Sequence, residues 1–281
     1  FLPYHDSTRR WRIIVAHRRA GKTVACVNEA IRSALTCPNP EPRAAYIAPL
    51  YKQAKDVAWS YLKEFTSTIP GRAVNESELR VDLPNGGRVR LYGADNPDAL
   101  RGLYLDDCIC DEFADMRPRF LPEIIRPALS DRKGKLTLIG TPKGHNEFHD
   151  RWIEAQTDPE WFTMMLRASE TGIVDADELR SAAKMMSEAQ YAQEYECSFE
   201  AAIEGAYYGS LIEAAQRDGR IAAVPHNPAL PVYTAWDLGI GDDTAIWFAQ
   251  RSGGWVHIIG HYATNGQSAE HYVSVLKAKP Y

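Results

Sequence analysis

The sequence predicts an α/β fold with a mostly parallel sheet and helices on both faces. Two observations support this prediction. Short segments that are apolar almost throughout, as in strands buried on both faces, alternate with helical segments along the chain. One of these strands, Trp11–Ala16, leads into a turn that contains Gly21-Lys22-Thr23, and a helix follows. A strand, a glycine-containing turn and a helix in this order are typical of a phosphate-binding unit.

Residues 1–200 are predicted to form the first domain. Further buried strands are predicted at Ala44–Ala48, Asp107–Asp111 and Leu136–Gly140. Helices are predicted at Thr23–Leu35, Lys52–Phe65, Phe120–Leu129, Ala176–Met186 and Glu188–Cys197. The pair Asn85-Gly86 lies between Leu79–Asp82 and Arg88–Tyr92, which predicts a β-hairpin.

A change in composition predicts a linker over residues 201–230, which are rich in glycine and proline and have little periodicity. A second α/β pattern occupies residues 231–281. Its predicted elements are the strands Val232–Trp236, Thr244–Gln250 and Trp255–Tyr262 and the helix Ser268–Lys277. We expect these residues to be the beginning of an incomplete domain.

Composition limits the classes of protein that the sequence allows. The length of 281 residues suits about two domains. A formal net charge of −5 argues against a protein that coats nucleic acid over its whole surface, although it permits a local basic face. Two stretches are locally basic, Arg9–Arg19 and Arg126–Lys135. The five cysteines lack the spacing of a zinc site, and no secretory signal is visible, so we expect a reduced, cytosolic protein.

The segment Ala16–Thr23 matches the Walker A phosphate-binding loop, except that Ala16 replaces its first glycine. Gly21 allows the backbone to approach phosphate, and the following helix N-terminus favours anions. Lys22 is expected to reach the β- and γ-phosphate oxygens, and the Thr23 hydroxyl to bind Mg²⁺. The residues expected to bind nucleotide in this loop are Arg18, Arg19, Ala20, Gly21, Lys22 and Thr23.

Two further strand ends carry polar residues that suit nucleotide hydrolysis. Asp111-Glu112 ends an apolar strand and is a Walker B candidate, in which Asp111 holds Mg²⁺ and Glu112 orients and polarises the attacking water. An ordinary acidic strand end is the alternative interpretation. Thr141 follows the strand Leu136–Gly140 and could contact the γ-phosphate, although a plain strand-to-loop turn explains it equally well.

Together these segments resemble the ATPase domain of the large terminase subunit of tailed bacteriophages. The order and spacing of several motifs across nearly the whole chain make the resemblance specific. The matching segments are Val15–Thr23, Tyr46–Pro49 followed by Gln53, Leu100–Gly102 shortly before Asp111-Glu112, Gly140–Gly144, and Trp236–Gly239 with Asp243-Thr244.

The resemblance implies a P-loop NTPase of the ASCE type that uses ATP and Mg²⁺ to drive double-stranded DNA into a viral procapsid. It also implies the start of an RNase H-like nuclease domain that uses Mg²⁺ or Mn²⁺. The implied partners are double-stranded DNA, the portal protein, the small terminase subunit and further copies in a homo-oligomeric ring. This ring is a pentamer on the portal, and a monomer is the alternative for the isolated chain. The implied location is the cytoplasm of the host bacterium, transiently at the procapsid portal, without a membrane.

The resemblance also assigns arginines. Arg101 falls where the family places an arginine finger that acts on the ATP of a neighbouring subunit, with a plain surface ion pair as the alternative. Arg18 and Arg19 are rivals for a role on the same subunit's ATP, since a guanidinium suits either task. The family uses a Gln ahead of the P-loop to contact adenine. The residues before Trp11 contain none, so we expect that residue to lie upstream of Phe1.

In the second domain the resemblance makes Asp237 the central ligand of a two-metal nuclease site, assisted by Asp243 or, less favourably, Asp242. A capped glycine-rich turn is the alternative interpretation of Asp237. The segment Ile259–Tyr262 carries no carboxylate at the corresponding stage of the next strand. We therefore expect this chain by itself to cut DNA poorly or not at all.

Two other functions fit parts of the pattern. A helicase-like P-loop DNA translocase would need no nuclease segment, and Trp236–Gly239 argues against it. A degenerate scaffold that binds nucleotide without turnover would not need an intact Lys22, Thr23, Asp111 and Glu112.

Overall fold

A computed structural model describes residues 1–200, 209–239 and 243–281. The chain divides into two compact units, Phe1–Ala206 and Tyr207–Tyr281. No helix within the described ranges is both long and apolar enough to cross a membrane.

The described part of the first unit contains an eight-stranded sheet. Its strands are β1 Trp11–Ala16, β2 Arg43–Ala48, β3 Ala73–Asn75, β4 Arg80–Asp82, β5 Arg88–Gly93, β6 Asp107–Asp111, β7 Lys135–Gly140 and β8 Trp161–Leu166. The α-helices are α1 Leu2–Asp6, α2 Lys22–Thr36, α3 Tyr51–Phe65, α4 Arg126–Ala128, α5 Glu147–Thr157, α6 Ala168–Thr171, α7 Ala176–Met185 and α8 Glu188–Glu194. A π-helical turn, Leu121–Ile125, runs directly into α4.

The strand order is β3-β4-β5-β2-β6-β7-β1-β8. From β5 to β8 every neighbouring pair is parallel, and β3 and β4 add an antiparallel edge. Strand β7 lies between β1 and β6, so the segments that follow these three strands emerge side by side at one edge of the sheet. This order confirms the predicted mostly parallel α/β fold.

Helices cover both faces of this sheet, as predicted. On one face α2 and α3 bury small and aliphatic side chains, among them Ala30 and Ala58, against Ile14 and Tyr46. A separate apolar cluster on the other face contains Phe113, Phe148 and Ile125. Strands such as β1 and β6 are therefore buried on both sides, which explains their unbroken apolar sequences.

Most predicted elements of the first unit agree with the structure to within a few residues, but helix α5 was missed. Asn146 caps this helix by accepting hydrogen bonds from the backbone of Phe148 and His149. Phe148 and Ala155 are buried, with Trp152 between them packing against the same cluster. The helical spacing of these three side chains was the available signal. The helix predicted over Phe120–Leu129 is only partly regular.

The second unit contains a three-stranded antiparallel sheet, in the order β11-β10-β9, within its described residues. Its elements are α9 Gly209–Arg217, β9 Tyr233–Asp237, β10 Thr244–Ser252, β11 Trp255–Thr264 and α10 Ala269–Lys277. Ile246, Phe248 and Tyr272 form its small buried core. Helix α9 lies inside the interval predicted to be a linker, and residues 201–208 lie outside the described residues.

A buried charge network ties the starts of the strands to helix α2. The Arg12 guanidinium on β1 is fully buried, and it donates to Glu29 at 2.7 Å and to Asp107 of β6 at 2.8 Å. It also lies 5.1 Å from the centre of the Tyr4 ring. Burial alone would lower the pKa of Arg12, but the two carboxylates and the Tyr4 hydroxyl raise it above its ordinary value.

Removal of this cation should strongly destabilise the first unit. In Arg12→Met two buried carboxylates lose their shared partner, so we expect the free energy of unfolding to fall by about 3–5 kcal/mol. Urea unfolding followed by circular dichroism measures the change. Arg167→Met is the matched control, since Arg167 forms an exposed ion pair with Glu170 and should matter far less. Equal losses in the two variants would contradict this account.

Candidate functional site

The loop between β1 and α2 lies at the carboxyl edge of the parallel sheet, the edge at which α/β proteins bind ligands. Helix α2 begins at Lys22, and Gly21 precedes it with a φ angle of +86°. A Cβ atom on Gly21 would meet nothing within 4 Å. Glycine is therefore required here by its left-handed backbone and not by crowding. Arg19 has a left-handed φ of 69° as well, which is uncommon for a residue with a side chain.

The Lys22 ammonium group lies at the centre of the site. It donates to the Thr141 hydroxyl at 2.9 Å and to the carbonyl oxygens of Ala16 and His17 at 3.2 and 3.3 Å. It also lies 3.7 Å from the Glu112 carboxylate. One side chain thus connects the phosphate loop with the residues that follow β6 and β7.

His17 helps to fix the phosphate loop to the rest of the first unit, although sequence analysis gave it no role. Its ring is fully buried, with Nδ1 2.7 Å from the Arg18 carbonyl oxygen and Nε2 2.9 Å from the Thr171 hydroxyl. Because a carbonyl oxygen can only accept, Nδ1 carries the proton, and in the neutral ring Nε2 accepts from Thr171. The Arg18 backbone N–H donates to Glu194 O at 2.8 Å. The loop is therefore fixed to α6 and α8 as well as to the sheet.

Asp111 is buried at the end of β6 and is held by two donors. Its Oδ2 accepts from the Tyr46 hydroxyl, and its Oδ1 accepts from the Glu112 backbone N–H at 2.9 Å. Burial, followed by the Glu112 carboxylate, raises the pKa of Asp111 to about 6. Burial and the Asp111 carboxylate raise the pKa of Tyr46, while a hydrogen bond with Thr23 opposes that rise. One phenol thus contacts both residues predicted to serve Mg²⁺.

Glu112 adopts an unusual backbone conformation beside Gly140. Its φ is 50°, in the left-handed region, and its side chain is 28% exposed. The Thr141 backbone N–H points to Glu112 Oε2 at 3.4 Å. A Cβ on Gly140 would lie 3.3 Å from the Phe113 nitrogen and 3.4 Å from Glu112 Cα. Glycine thus permits β7 to end close against the Glu112 backbone. Left-handed non-glycine residues often occur at functional sites.

The phosphate loop, Glu112 and Thr141 border one cavity of about 620 Å³. Its lining comprises Arg18, Arg19, Ala20, Gly21, Lys22, Thr23, Val24, Gln53, Val57, Tyr61, Glu112, Asp115, Thr141, Lys143 and Glu194. The volume lies within the range of small-molecule sites. The structure thus brings together every residue predicted to bind nucleotide in the first unit, and Asp111 lies buried beside them.

Most charges in the cavity are paired across it. Lys143 pairs with Asp115 at 2.7 Å, and Arg18 lies 3.6 Å from the Glu194 carboxylate. The exposed Arg19 guanidinium, in contrast, forms no hydrogen bond or ion pair with any residue that the structure describes.

Arg101, the arginine predicted to act on a neighbouring subunit, does not line this cavity. Arg101 is 66% exposed and pairs with Asp98 at 3.3 Å. Asp237 ends β9, and Asp243 immediately precedes β10, so both are exposed at the same end of the β9–β10 pair. Asp242 lies outside the described residues. Within residues 1–200, 209–239 and 243–281, no three His, Cys, Asp or Glu side chains are arranged to hold a metal ion.

A glycine-containing loop between the parallel strand β1 and α2, its lysine, and carboxylates at the end of a nearby parallel strand define a P-loop NTPase fold. The family described as "Terminase large subunit, T4likevirus-type, N-terminal" matches residues 13–214. The chain belongs to this large terminase family.

The chain is also similar to known proteins and solved structures. The terminase large subunit of Thermus virus P23-45 is 32% identical over 171 residues, which are 54% of this chain and 35% of that protein. The large terminase ATPase domain of Thermus phage P74-26 shares the fold with a TM-score of 0.61 and 24% identity, over 70% of this chain and 92% of that one. The ADP complex of the large terminase of bacteriophage D6E has a TM-score of 0.60 and 16% identity, over 95% of this chain and 68% of that one.

The raised pKa of Asp111 predicts a pH-dependent stability in the absence of divalent cations. An unfolded aspartate ionises near pH 4, so the folded chain holds this proton more tightly, and ionisation costs stability as the pH rises. Asparagine remains neutral and removes that cost. From about pH 4 to about pH 7, the stability of Asp111→Asn relative to the parent should rise by roughly 2–3 kcal/mol.

Urea unfolding at both pH values measures this change. Asp115→Asn removes a carboxylate from the exposed rim of the same cavity and controls for the loss of one charge. A stability difference between Asp111→Asn and the parent that stays constant with pH would refute the prediction.

Proposed function

We propose that the first unit is an ATPase that drives double-stranded DNA into a viral procapsid. The observation that carries this proposal is the meeting of Lys22, Glu112 and Thr141 around one cavity at the ends of β1, β6 and β7. Membership of the large terminase family favours packaging over a helicase-like translocase. The matched relative is much longer than this chain, so packaging by the whole protein remains part of the proposal.

The donor set of the cavity fits a nucleotide with Mg²⁺. Backbone N–H groups of Gly21–Thr23 at the start of α2 suit the phosphates, and Lys22 neutralises their β- and γ-oxygens. The Thr23 hydroxyl and the Asp111 carboxylate are hard oxygen donors of the kind that Mg²⁺ prefers. Such sites use few protein ligands together with phosphates, so three clustered carboxylates are not needed. Mg²⁺, when bound, would neutralise charge on the phosphates.

The remaining contacts suggest how hydrolysis proceeds. In this structure Glu112 lies close to Lys22. A γ-phosphate near Lys22 would compete for the ammonium and leave the Glu112 carboxylate to orient and polarise water. Thr141 donates toward Glu112 through its backbone and accepts from Lys22 through its hydroxyl. It is therefore suited to detect the loss of the γ-phosphate.

Two variants separate binding from chemistry. Glu112→Gln preserves the shape of the side chain but cannot act as a base, so the ATPase rate should fall at least about 100-fold while ADP affinity is retained. Lys22→Ala should lose both activity and most ADP affinity, because the cation of the loop is gone. Phosphate release and ADP titration measure these effects. Substantial ATPase activity in Glu112→Gln or Glu112→Ala would disprove the assigned mechanism.

The arginines are proposed to divide between two roles. Arg19 has an unpaired guanidinium on the cavity and suits the nucleotide of its own chain better than Arg18, which faces Glu194. Arg101 is exposed away from the cavity lining, as an arginine that serves a neighbouring copy must be. Portal protein, small terminase subunit and a ring of copies, a pentamer on the portal, are the corresponding proposed partners.

Concentration dependence tests the role of Arg101. If Arg101 acts on a neighbour, ATPase activity per chain should rise with protein concentration. In Arg101→Ala this rise in activity should be at least tenfold smaller. Arg119→Ala removes an exposed arginine with a comparable ion pair and is the control. Specific activity that is independent of concentration in the parent would favour a cis role for Arg19.

For the second unit we propose the start of an RNase H-like nuclease domain, with the linker and boundaries 1–200, 201–230 and 231–281 as predicted. The exposed carboxylates of Asp237 and Asp243, at one end of the β9–β10 pair, support a metal site that uses Mg²⁺ or Mn²⁺. Plasmid nicking with Mn²⁺ tests the chain. We expect little cleavage. Robust cleavage that Asp237→Ala abolishes would contradict that expectation, but it would support Asp237 as a metal ligand.

A further inference from the structure

Tyr46 places a polar group in an otherwise apolar part of strand β2. The residues on either side of it, Ala45 and Ile47, are apolar and buried, and Tyr46 is itself only 2% exposed. A buried hydroxyl group costs free energy unless it is hydrogen bonded. Phenylalanine would fill nearly the same space without that cost, so packing alone does not explain the hydroxyl.

The register of the sheet determines which group this hydroxyl reaches. Strands β2 and β6 are parallel, and Tyr46 lies opposite Ile109. Because side chains alternate between the faces of a sheet, Asp111 projects from the same face as Ile109, about 6–7 Å closer to the carboxyl edge. The long Tyr46 side chain spans that distance, and its hydroxyl donates to Asp111 Oδ2.

Both oxygens of Asp111 thereby have a donor. Tyr46 holds Oδ2 from β2, and the backbone N–H of Glu112 holds Oδ1 at 2.9 Å. Since the phenol has one proton and gives it to Asp111, its hydrogen bond with Thr23 must have the Thr23 hydroxyl as the donor. The Thr23 proton then points toward Tyr46, which leaves the lone pairs of its oxygen available to a cation.

We propose that Tyr46 is the positioning residue of the Mg²⁺ site and holds Asp111 and Thr23 in the orientation in which their oxygens bind the cation. The inference rests on the proposed ATPase function and adds to it a residue that acts only through the metal ligands. Tyr46 does not itself line the phosphate cavity. Removal of a partner that orients metal ligands typically weakens metal binding or activity by about 10- to 100-fold.

A purely structural role of the hydroxyl makes a different prediction. Tyr46 belongs to the apolar cluster that packs α2 and α3 on the sheet, so its hydroxyl could serve only to satisfy the buried Asp111 carboxylate. Its loss would then lower the stability of the first unit and leave the metal affinity of the folded chain unchanged. The metal affinity of the folded chain therefore separates the two roles.

The test compares Tyr46→Phe with Tyr4→Phe in the full chain. Each substitution removes one buried phenol hydroxyl from the same apolar cluster. The Tyr4 hydroxyl, however, lies 3.2 Å from the Thr137 hydroxyl, and neither residue lines the phosphate cavity. Calorimetric titration measures ADP binding without divalent cations, and electron paramagnetic resonance measures Mn²⁺ binding to the ADP complex.

In Tyr46→Phe we expect the affinity for Mn²⁺ to fall at least about tenfold, with the metal-free affinity for ADP unchanged. Tyr4→Phe should match the parent in both titrations. The Mg²⁺ concentration that gives half-maximal ATPase activity should likewise rise at least about tenfold in Tyr46→Phe alone. Most of the parental kcat should return at saturating Mg²⁺, because an excess of cation compensates for a poorly held ligand.

Parental Mn²⁺ affinity in a folded Tyr46→Phe chain would overturn the inference, as would a metal-free ADP affinity that falls as far as the Mn²⁺ affinity. If Tyr46→Phe is unstable, all chains are titrated in the same concentration of sucrose, which favours the folded state. Failure to fold there as well would also overturn the inference, since the hydroxyl would then serve the fold. Failure of the proposed ATPase function looks different, because the parent chain would then bind no ADP.

Discussion

The Lys22 ammonium group is the contact on which the candidate site depends. It is only 8% exposed, so its charge has lost most of its water and must be compensated by the protein. Two carbonyl oxygens of the loop, the Thr141 hydroxyl and the Glu112 carboxylate provide that compensation. These partners lie at the carboxyl ends of three different strands, and they can surround one nitrogen only because β7 lies between β1 and β6. The order of the strands therefore determines which groups meet at the Lys22 ammonium.

The parts of this arrangement that are local in sequence could be predicted. The apolar run of β1, the Gly21-Lys22-Thr23 turn and the carboxylates after β6 each follow from a few neighbouring residues, and the structure assembles them as expected. The order of the strands is not encoded in any short segment. It was not predicted, because hydrophobic patterning gives an element's type but not its neighbours.

Residues whose importance arises from distant contacts could not be identified from the sequence. Tyr46 reads as one more apolar position of a buried strand, and only folding brings its hydroxyl to Asp111, 65 residues away. His17 reads as a variable loop residue, yet its ring reaches Thr171 across 154 residues. Helix α5 is a different case, since its cap and apolar spacing were present in the sequence and were overlooked.

A buried cation lies at each edge of the sheet, and the protein compensates the two charges differently. At the starting edge Arg12 is enclosed by Glu29 and Asp107, both fully or almost fully buried, so its charge is permanently satisfied from within the protein. At the carboxyl edge Lys22 meets a carboxylate that is partly exposed and 3.7 Å away, a longer and looser contact. A phosphate can compete for Lys22 but no ligand can reach Arg12. The buried network therefore fixes β1, β6 and α2 relative to one another, whereas the longer contact of Lys22 with Glu112 lies at the opposite ends of β1 and β6.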